Sequence, residues 1–347
     1  MRIELDCEEL CYTGRVDFRD PKKPEWIFPA TSLRLRFYGK SASLWVTNRN
    51  LYWKNTLGAI VDGIQKRFDL NDSGETELRL IDTETDAEHD ILLFKRMDSC
   101  HEVVLERLEL SEDALLLPAP ARPARRIEVY GDSVSAGEVS EAVHCIGQPD
   151  PVHNGEFSNS WYSYAWLTAR KLGAELHDIA QGGIALLDGT GWFNEPDGIG
   201  MESAWDKLHY QPAFGKPVPW DFTRYTPQAV IVAIGQNDSH PEDYMAAGEN
   251  GERACRWRSH YKAFLKALRA KYPAARIVCC TTLLEHDPAW DCAIGQVCRE
   301  MGDENIMQYR FRRNGCGTPG HLRIPEHEEM AEELAAYLKS LRIEGWD

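Results

Sequence analysis

Four short segments carry residue types able to transfer an acyl group. They are Gly131-Asp132-Ser133, Gly182-Gly183, Gly235-Gln236-Asn237-Asp238 and Gly320-His321. A serine hydroxyl attacks a carbonyl when a nearby imidazole takes its proton. The tetrahedral intermediate then needs N–H donors aimed at its oxyanion. A glycine backbone lets one donor come close, and an asparagine carboxamide supplies another. Singly, each segment has a plainer reading. Gly-Asp-Ser is a common turn in which the serine is a cap, paired glycines make loops, and Asn-Asp caps helices. A lone histidine near the C-terminus is more often a surface or capping residue than a base. Their weight comes from position, because all four fall beside candidate strands and helices of one half of the chain.

The elements that must hold these segments fall into two groups. Residues 1 to about 120 read as short strands separated by turns. Leu33-Arg34-Leu35-Arg36-Phe37 alternates apolar and charged residues, the period of a half-buried strand. Ser43–Val46, Ile91–Phe94 and Val103–Leu105 are further candidates, and Asp62-Gly63 and Asn71–Gly74 punctuate them. The pattern predicts a β-sandwich of the jelly-roll kind. Pro118, Pro120 and Pro123 then make a stiff connector, which puts the domain boundary there, with domains at 1–120 and 125–347. Beyond it, strand and helix alternate. Ile127–Tyr130, Glu175–Ile179, Ala229–Ile234 and Ile277–Cys280 read as strands. Ser160–Leu172 (Ser160 the cap), Ala254–Tyr272 and Pro325–Leu341 read as helices. A parallel sheet covered on both faces follows, with its sites at the carboxyl ends of the strands.

Composition excludes several partners. The 347 residues carry a formal charge of −16, so neither nucleic acid nor an anionic membrane surface is expected as a partner. The acids among Met1–Leu10 interrupt any secretory leader, and no apolar run is long enough to span a bilayer. The ten cysteines are irregularly spaced, without Cys-x-x-Cys, and read as reduced thiols of a cytoplasmic protein. No histidine pair has zinc-ligand spacing, so no metal or other cofactor is expected.

With its four blocks in this order, the chain resembles the SGNH/GDSL hydrolase superfamily over residues 125–347. Within it, the chain looks most like carbohydrate esterase family 2. Members of that family are similar in placing a jelly-roll domain before the hydrolase, and in the run Gly315-Cys316 … His321 … His327-Glu328-Glu329-Met330-Ala331. The resemblance implies a three-layer α/β/α hydrolase with a flavodoxin-like sheet. It makes Ser133 the nucleophile and His321 the general base. Ser133 N–H, Gly183 N–H and the Asn237 side chain become the oxyanion donors, with Gly182 as the alternative glycine, while Asp132 fixes the turn.

One position departs from the superfamily. Thr318 stands three residues before His321, where most members carry an aspartate, and threonine cannot stabilise an imidazolium by charge. The resemblance then implies a Ser–His dyad with the ring oriented by a main-chain carbonyl, although an acid from elsewhere stays open. His327 competes with His321 as base, but it falls on the first turn of a helix, and a loop histidine reaches a serine more readily.

Trp192 and Trp220 lie in long Gly/Pro-rich segments and are the candidates for binding a sugar. The run 140–160 is expected to wall the site. The expected reaction is removal of O-acetyl groups from plant-type oligosaccharides derived from xylan, mannan or glucan, taken up into the cell, through an acetyl-Ser133 intermediate. Two rivals are a lipid acyl esterase or thioesterase on the same scaffold, and a non-catalytic carbohydrate-binding protein.

Overall fold

A computed structural model describes residues 1–195, 197–248 and 250–346. The first part of the chain forms an antiparallel sheet built on two long strands, Ser32–Asn50 and Glu75–Lys95, which pair along most of their length. Bulges near Gly39/Ser41 and Ala42/Ser43 break their register, which lets strands this long bend around one core. Leu33, Leu35 and Phe37 point inward and are fully buried, while Arg34 turns out to a bidentate pair with Asp90 (2.9 Å from Nε). That is the alternation the sequence predicted.

The chain leaves this sheet at Leu117 and enters a second one at Arg125. Five parallel strands follow in the spatial order Ala174–Ala180, Arg125–Gly131, Ala229–Ala233, Arg276–Cys279, Ile306–Gln308. This is the flavodoxin-like order, with its switch point between Arg125–Gly131 and Ala229–Ala233. Every residue of Ala229–Ala233 is buried, because helices cover both faces. Tyr164–Leu172 and Ile324–Ser340 pack one face through Ala165, Ala169, Met330 and Leu334. Glu252–Lys271 and Pro288–Met301 pack the other through Trp257, Phe264 and Trp290.

The helix expected from Ser160 begins later. Ser160–Tyr162 is a 3₁₀ turn and Ser163 is the cap, its Oγ accepting from Trp166 N–H (3.2 Å). The Ser160 hydroxyl is instead drawn to the first domain, where it donates to the Lys95 carbonyl (2.7 Å). A distant acceptor thus displaces a local cap.

Buried ions hold the two halves together. Arg15 of the first half reaches into the second, with no exposed surface, and pairs with Glu128 (3.0 Å). His209 of the second half sits between Glu102 Oε1 at Nδ1 and Asp17 Oδ2 at Nε2, both at 2.8 Å. Two carboxylates on one ring require both nitrogens to donate, so the ring is an imidazolium. Burial opposes that charge, but the hydrogen bonds the ring donates to Asp17 and Glu102 outweigh it and raise the pKa from 6.5 to about 9. A raised pKa gives stability that is complete below 6.5 and lost as pH rises through 9. The wild-type protein is expected to lose on the order of 2–3 kcal/mol across that window. His209→Gln should start lower and lose less there. Urea unfolding at pH 6 and pH 9 checks both, and parallel losses in the two proteins would refute the assignment.

Candidate active site

Ser133 follows the strand Arg125–Gly131 and opens the short helix Ser133–Ala136. Asp132 caps that helix, Oδ1 accepting from Val134 N–H (3.0 Å), while Oδ2 accepts from Gln236 Nε2 (3.0 Å) and Asn237 Nδ2 (3.3 Å). Asp132 is fully buried, and it ties the serine turn to the Gly235–Asp238 turn of the neighbouring strand. As the first helical residue, Ser133 has a backbone N–H without an intrahelical partner.

Ser133, Gly182, Gly183, Asn237 and His321 line one cavity of about 520 Å³. The two glycines are not equivalent. Gly182 N–H is committed to Asp98 Oδ2 (2.7 Å). Gly183 takes φ +72°, and a Cβ there would lie 2.9 Å from Trp192 Cβ, so only glycine fits comfortably. Asn237 Nδ2 also donates to the Ile184 carbonyl (3.1 Å). An arriving oxyanion therefore competes best with its longer bond to Asp132. Asp238, at the next position, accepts from Leu186 and Leu187 N–H (2.8 and 3.2 Å) and holds the loop beyond Gly183.

The His321 ring is oriented by a carboxylate and not by the expected main-chain carbonyl. Asp150 Oδ2 lies 2.7 Å from Nδ1, and Asp150 Oδ1 accepts from His321 N–H (3.0 Å) and from Arg323 Nη1 (2.9 Å). Burial works against the Asp150 charge, but the hydrogen bonds and charges of His321 and Arg323 prevail and hold its pKa at about 2. Gly320 makes the approach possible, since a Cβ there would lie 2.6 Å from Asp150 Oδ1. Thr318, which stands where the aspartate was missed, accepts from Gly147 N–H through Oγ1 (3.2 Å) and so tethers the loop that delivers Asp150. His321 Nε2 faces the cavity, 3.6 Å from Glu138 Oε2. Among the described residues no hydrogen bond joins the ring to Ser133 Oγ, a contact that commonly tightens only when substrate binds.

His327 is placed elsewhere. It is fully buried, Nδ1 accepts from Tyr164 N–H (3.1 Å), and burial drives its pKa down to about 3.

The tryptophan expectations divide. Trp192 lies on the cavity, 60% exposed and stacked on His240 with ring centroids 3.4 Å apart. Trp220 does not, and this corrects the sequence reading. It is 5% exposed in the core, with the Arg15 guanidinium 5.3 Å and that of Arg224 4.7 Å from its ring. Its irregular segment looked like a binding loop, but the buried Arg15 needs an aromatic wall.

The first half of the chain contributes residues that sequence reasoning missed. Tyr52, Trp53 and Asp98 line the cavity. Asp98 also accepts from Gln181 Nε2 (2.7 Å), so one carboxylate of the β-rich half holds the glycine loop of the other half. Glu138 sits beside it. Burial, then the Asp98 charge and hydrogen bond, push the Glu138 carboxyl well above its usual range, so it keeps a proton. His153 comes from the 140–160 run, as does Asp150, so this run does wall the site.

A serine turn, a carboxylate-oriented histidine and backbone and side-chain amide donors thus line one cavity at the strand ends of a flavodoxin-like sheet. Residues 129–303, half of the chain, match the GDSL-like Lipase/Acylhydrolase family, and residues 12–120 match the Carbohydrate esterase 2 N-terminal family. The chain belongs to the GDSL-like Lipase/Acylhydrolase family. It is 29% identical over 97% of its length to "Cellulase/esterase CelE" of Acetivibrio thermocellus, although it spans only 40% of that protein. It is 26% identical to "Acetylxylan esterase / glucomannan deacetylase" of Cellvibrio japonicus, covering 94% of this chain and 87% of that one. A family two carbohydrate esterase from Clostridium thermocellum, solved with cellohexaose, superposes with a TM-score of 0.81 at 28% identity, over 97% of this chain and 100% of that one. The Cellvibrio japonicus family two esterase shares the fold, with a TM-score of 0.84 at 24% identity over 100% and 98% of the two chains.

Proposed function

We propose that the protein removes O-acetyl groups from plant-type oligosaccharides of xylan, mannan or glucan origin. The observation that carries this reading is the convergence of Ser133, Gly183, Asn237 and the Asp150–His321 pair on one cavity walled by Trp53 and Trp192. Indole rings stack on sugar faces, and the polar side chains of Asp98, Gln181 and Glu138 suit sugar hydroxyls. The names of the two relatives support a carbohydrate ester as the substrate. Ten unpaired cysteines support a reducing, cytoplasmic compartment, and no helix among the described residues is long and apolar enough to cross a membrane.

Ser133 Oγ attacks the acetyl carbonyl carbon while His321 Nε2 takes its proton. Asp150 holds the Nδ1–H and stabilises the imidazolium, which makes a triad of the expected dyad. Ser133 N–H, Gly183 N–H and Asn237 Nδ2–H receive the oxyanion. Collapse expels the sugar oxygen, protonated from His321 Nε2, and leaves acetyl-Ser133. Water, deprotonated by the same nitrogen, then releases acetate.

Mass spectrometry of acetylated xylo- and manno-oligosaccharides, before and after exposure to the protein, tests the reading. Loss of acetyl groups is expected with the wild type and not with Ser133→Ala. A strong preference for octanoyl over acetyl aryl esters would instead support the lipid reading.

A further inference from the structure

The turn that carries Ser133 brings an acid to the cavity as well. Glu138 follows the helix Ser133–Ala136, and its N–H donates to the Ser133 carbonyl (2.9 Å), so the serine turn itself fixes its backbone. The buried side chain runs to Gly182. A Cβ at Gly182 would overlap Glu138 Oε1 and lie 2.7 Å from Asp98 Oδ2, so both carboxyl groups close on the bare glycine. Asp98 is the acceptor in its other side-chain hydrogen bonds. Oδ2 accepts from Gly182 N–H and Gln181 Nε2 (both 2.7 Å), and Oδ1 accepts from Cys100 N–H (3.3 Å) and Sγ (2.7 Å). No donor of another residue reaches Glu138 Oε1, and the hydrogen bond between Glu138 and Asp98 needs one proton for the pair. The donors gathered on Asp98 make it the carboxylate, so Glu138 holds that proton. Burial first, then Asp98, and then Asp132 and Asp150 oppose a negative charge on Glu138.

Two parts of the site depend on where that proton is. Asp98 holds Gly182 N–H, and the next N–H along the chain is that of Gly183, so whatever steadies Asp98 steadies the oxyanion glycine. An O–H donating to a carboxylate is among the stronger hydrogen bonds available for this. His321 Nε2 lies 3.6 Å from Glu138 Oε2. A charged Glu138 at that distance would hold the proton the ring takes from Ser133 and keep it from the leaving oxygen, and a neutral acid does not. The basic groups nearby are otherwise engaged. Lys95 Nζ donates to the main-chain carbonyls of Met97 and Asp98, and His153 is neutral because burial and the His321 charge hold its pKa at about 4.

We propose that Glu138 is a positioning residue that works as a neutral acid: by donating to Asp98 it keeps the Gly182–Gly183 backbone seated, and by carrying no charge it leaves His321 Nε2 to Ser133. The kinetic half of this inference rests on the esterase reading, and the location of the proton does not.

Two measurements test it. Infrared spectra of the wild-type protein at neutral pH are compared with and without an isotope label at the glutamate carboxyl carbon. A neutral-carboxyl band that moves on labelling is expected, and it should be missing from Glu138→Gln. No such band in the wild type overturns the proposal whatever the variants do, and a band that persists in Glu138→Gln gives the proton to another glutamate and overturns it too. Steady-state kinetics on an acetyl ester then compares two variants. Glu138→Gln still donates to Asp98 but has no charge to gain, whereas Glu138→Met fills similar space and donates nothing. Glu138→Met is expected to lose about 10²-fold in kcat, the cost of a misplaced oxyanion donor, with KM little changed. Glu138→Gln should recover at least about tenfold of that loss. Equal kcat in the two variants reduces Glu138 to a space filler and overturns the positioning role. An inactive wild type in which the band is present overturns the esterase reading, and the kinetic half with it, but not the location of the proton.

Discussion

His321→Ala is expected to lower kcat on an acetyl ester by about a millionfold, while His327→Ala leaves it within a few-fold. The difference follows from where each ring is held. His321 presents Nε2 to the cavity that contains Ser133, and its other nitrogen is fixed by Asp150. Without it nothing positioned there takes the serine proton, and what survives comes from the oxyanion donors and binding alone. His327 lies under the helix Tyr164–Leu172 and serves as acceptor for Tyr164 N–H. Its loss leaves that buried donor unpaired, which costs about 1–3 kcal/mol of stability. A lower melting temperature with unchanged kcat is the expected signature of His327→Ala. Steady-state kinetics beside thermal unfolding separates the two, and loss of catalysis in His327→Ala alone would reverse the assignment.

Asp150→Asn is expected to lower kcat by roughly 10²–10⁴ with little change in KM. The amide keeps the shape but removes the charge that stabilises the imidazolium, and it can present an N–H to Nδ1 and so favour the wrong tautomer. Asp150 also pairs with the buried Arg323, so some stability will be lost with it. Circular dichroism under the assay conditions shows whether the variant is folded. Wild-type-like kcat in a folded Asp150→Asn would remove Asp150 from the machinery.

Much of this site was legible because its parts are local. The serine turn, the Gly235–Asp238 turn and the two glycines each follow a strand whose apolar character is plain in the sequence, and the parallel sheet brings those strand ends together. Asp150 was not legible as the partner of His321. It stands 171 residues before His321 in a loop with no periodicity, and only the fold brings the two side chains together. Thr318 gave half of the signal, since a missing aspartate asks for a replacement without saying from where. Asp98 was hidden for a different reason. It belongs to the β-rich half, and nothing in its surroundings announces a contact across the domain junction. Trp220 misled because an irregular segment can serve a buried cation as well as a ligand.

The grip of Asp98 on Gly182 and Gln181 bears on how such an enzyme can be rearranged. A gene fusion that kept the second portion and exchanged its companion module would release the Gln181–Gly183 loop from the carboxylate that holds it. Exchanging one portion without the other is therefore expected to loosen that loop, whereas a module joined outside the pair leaves it untouched.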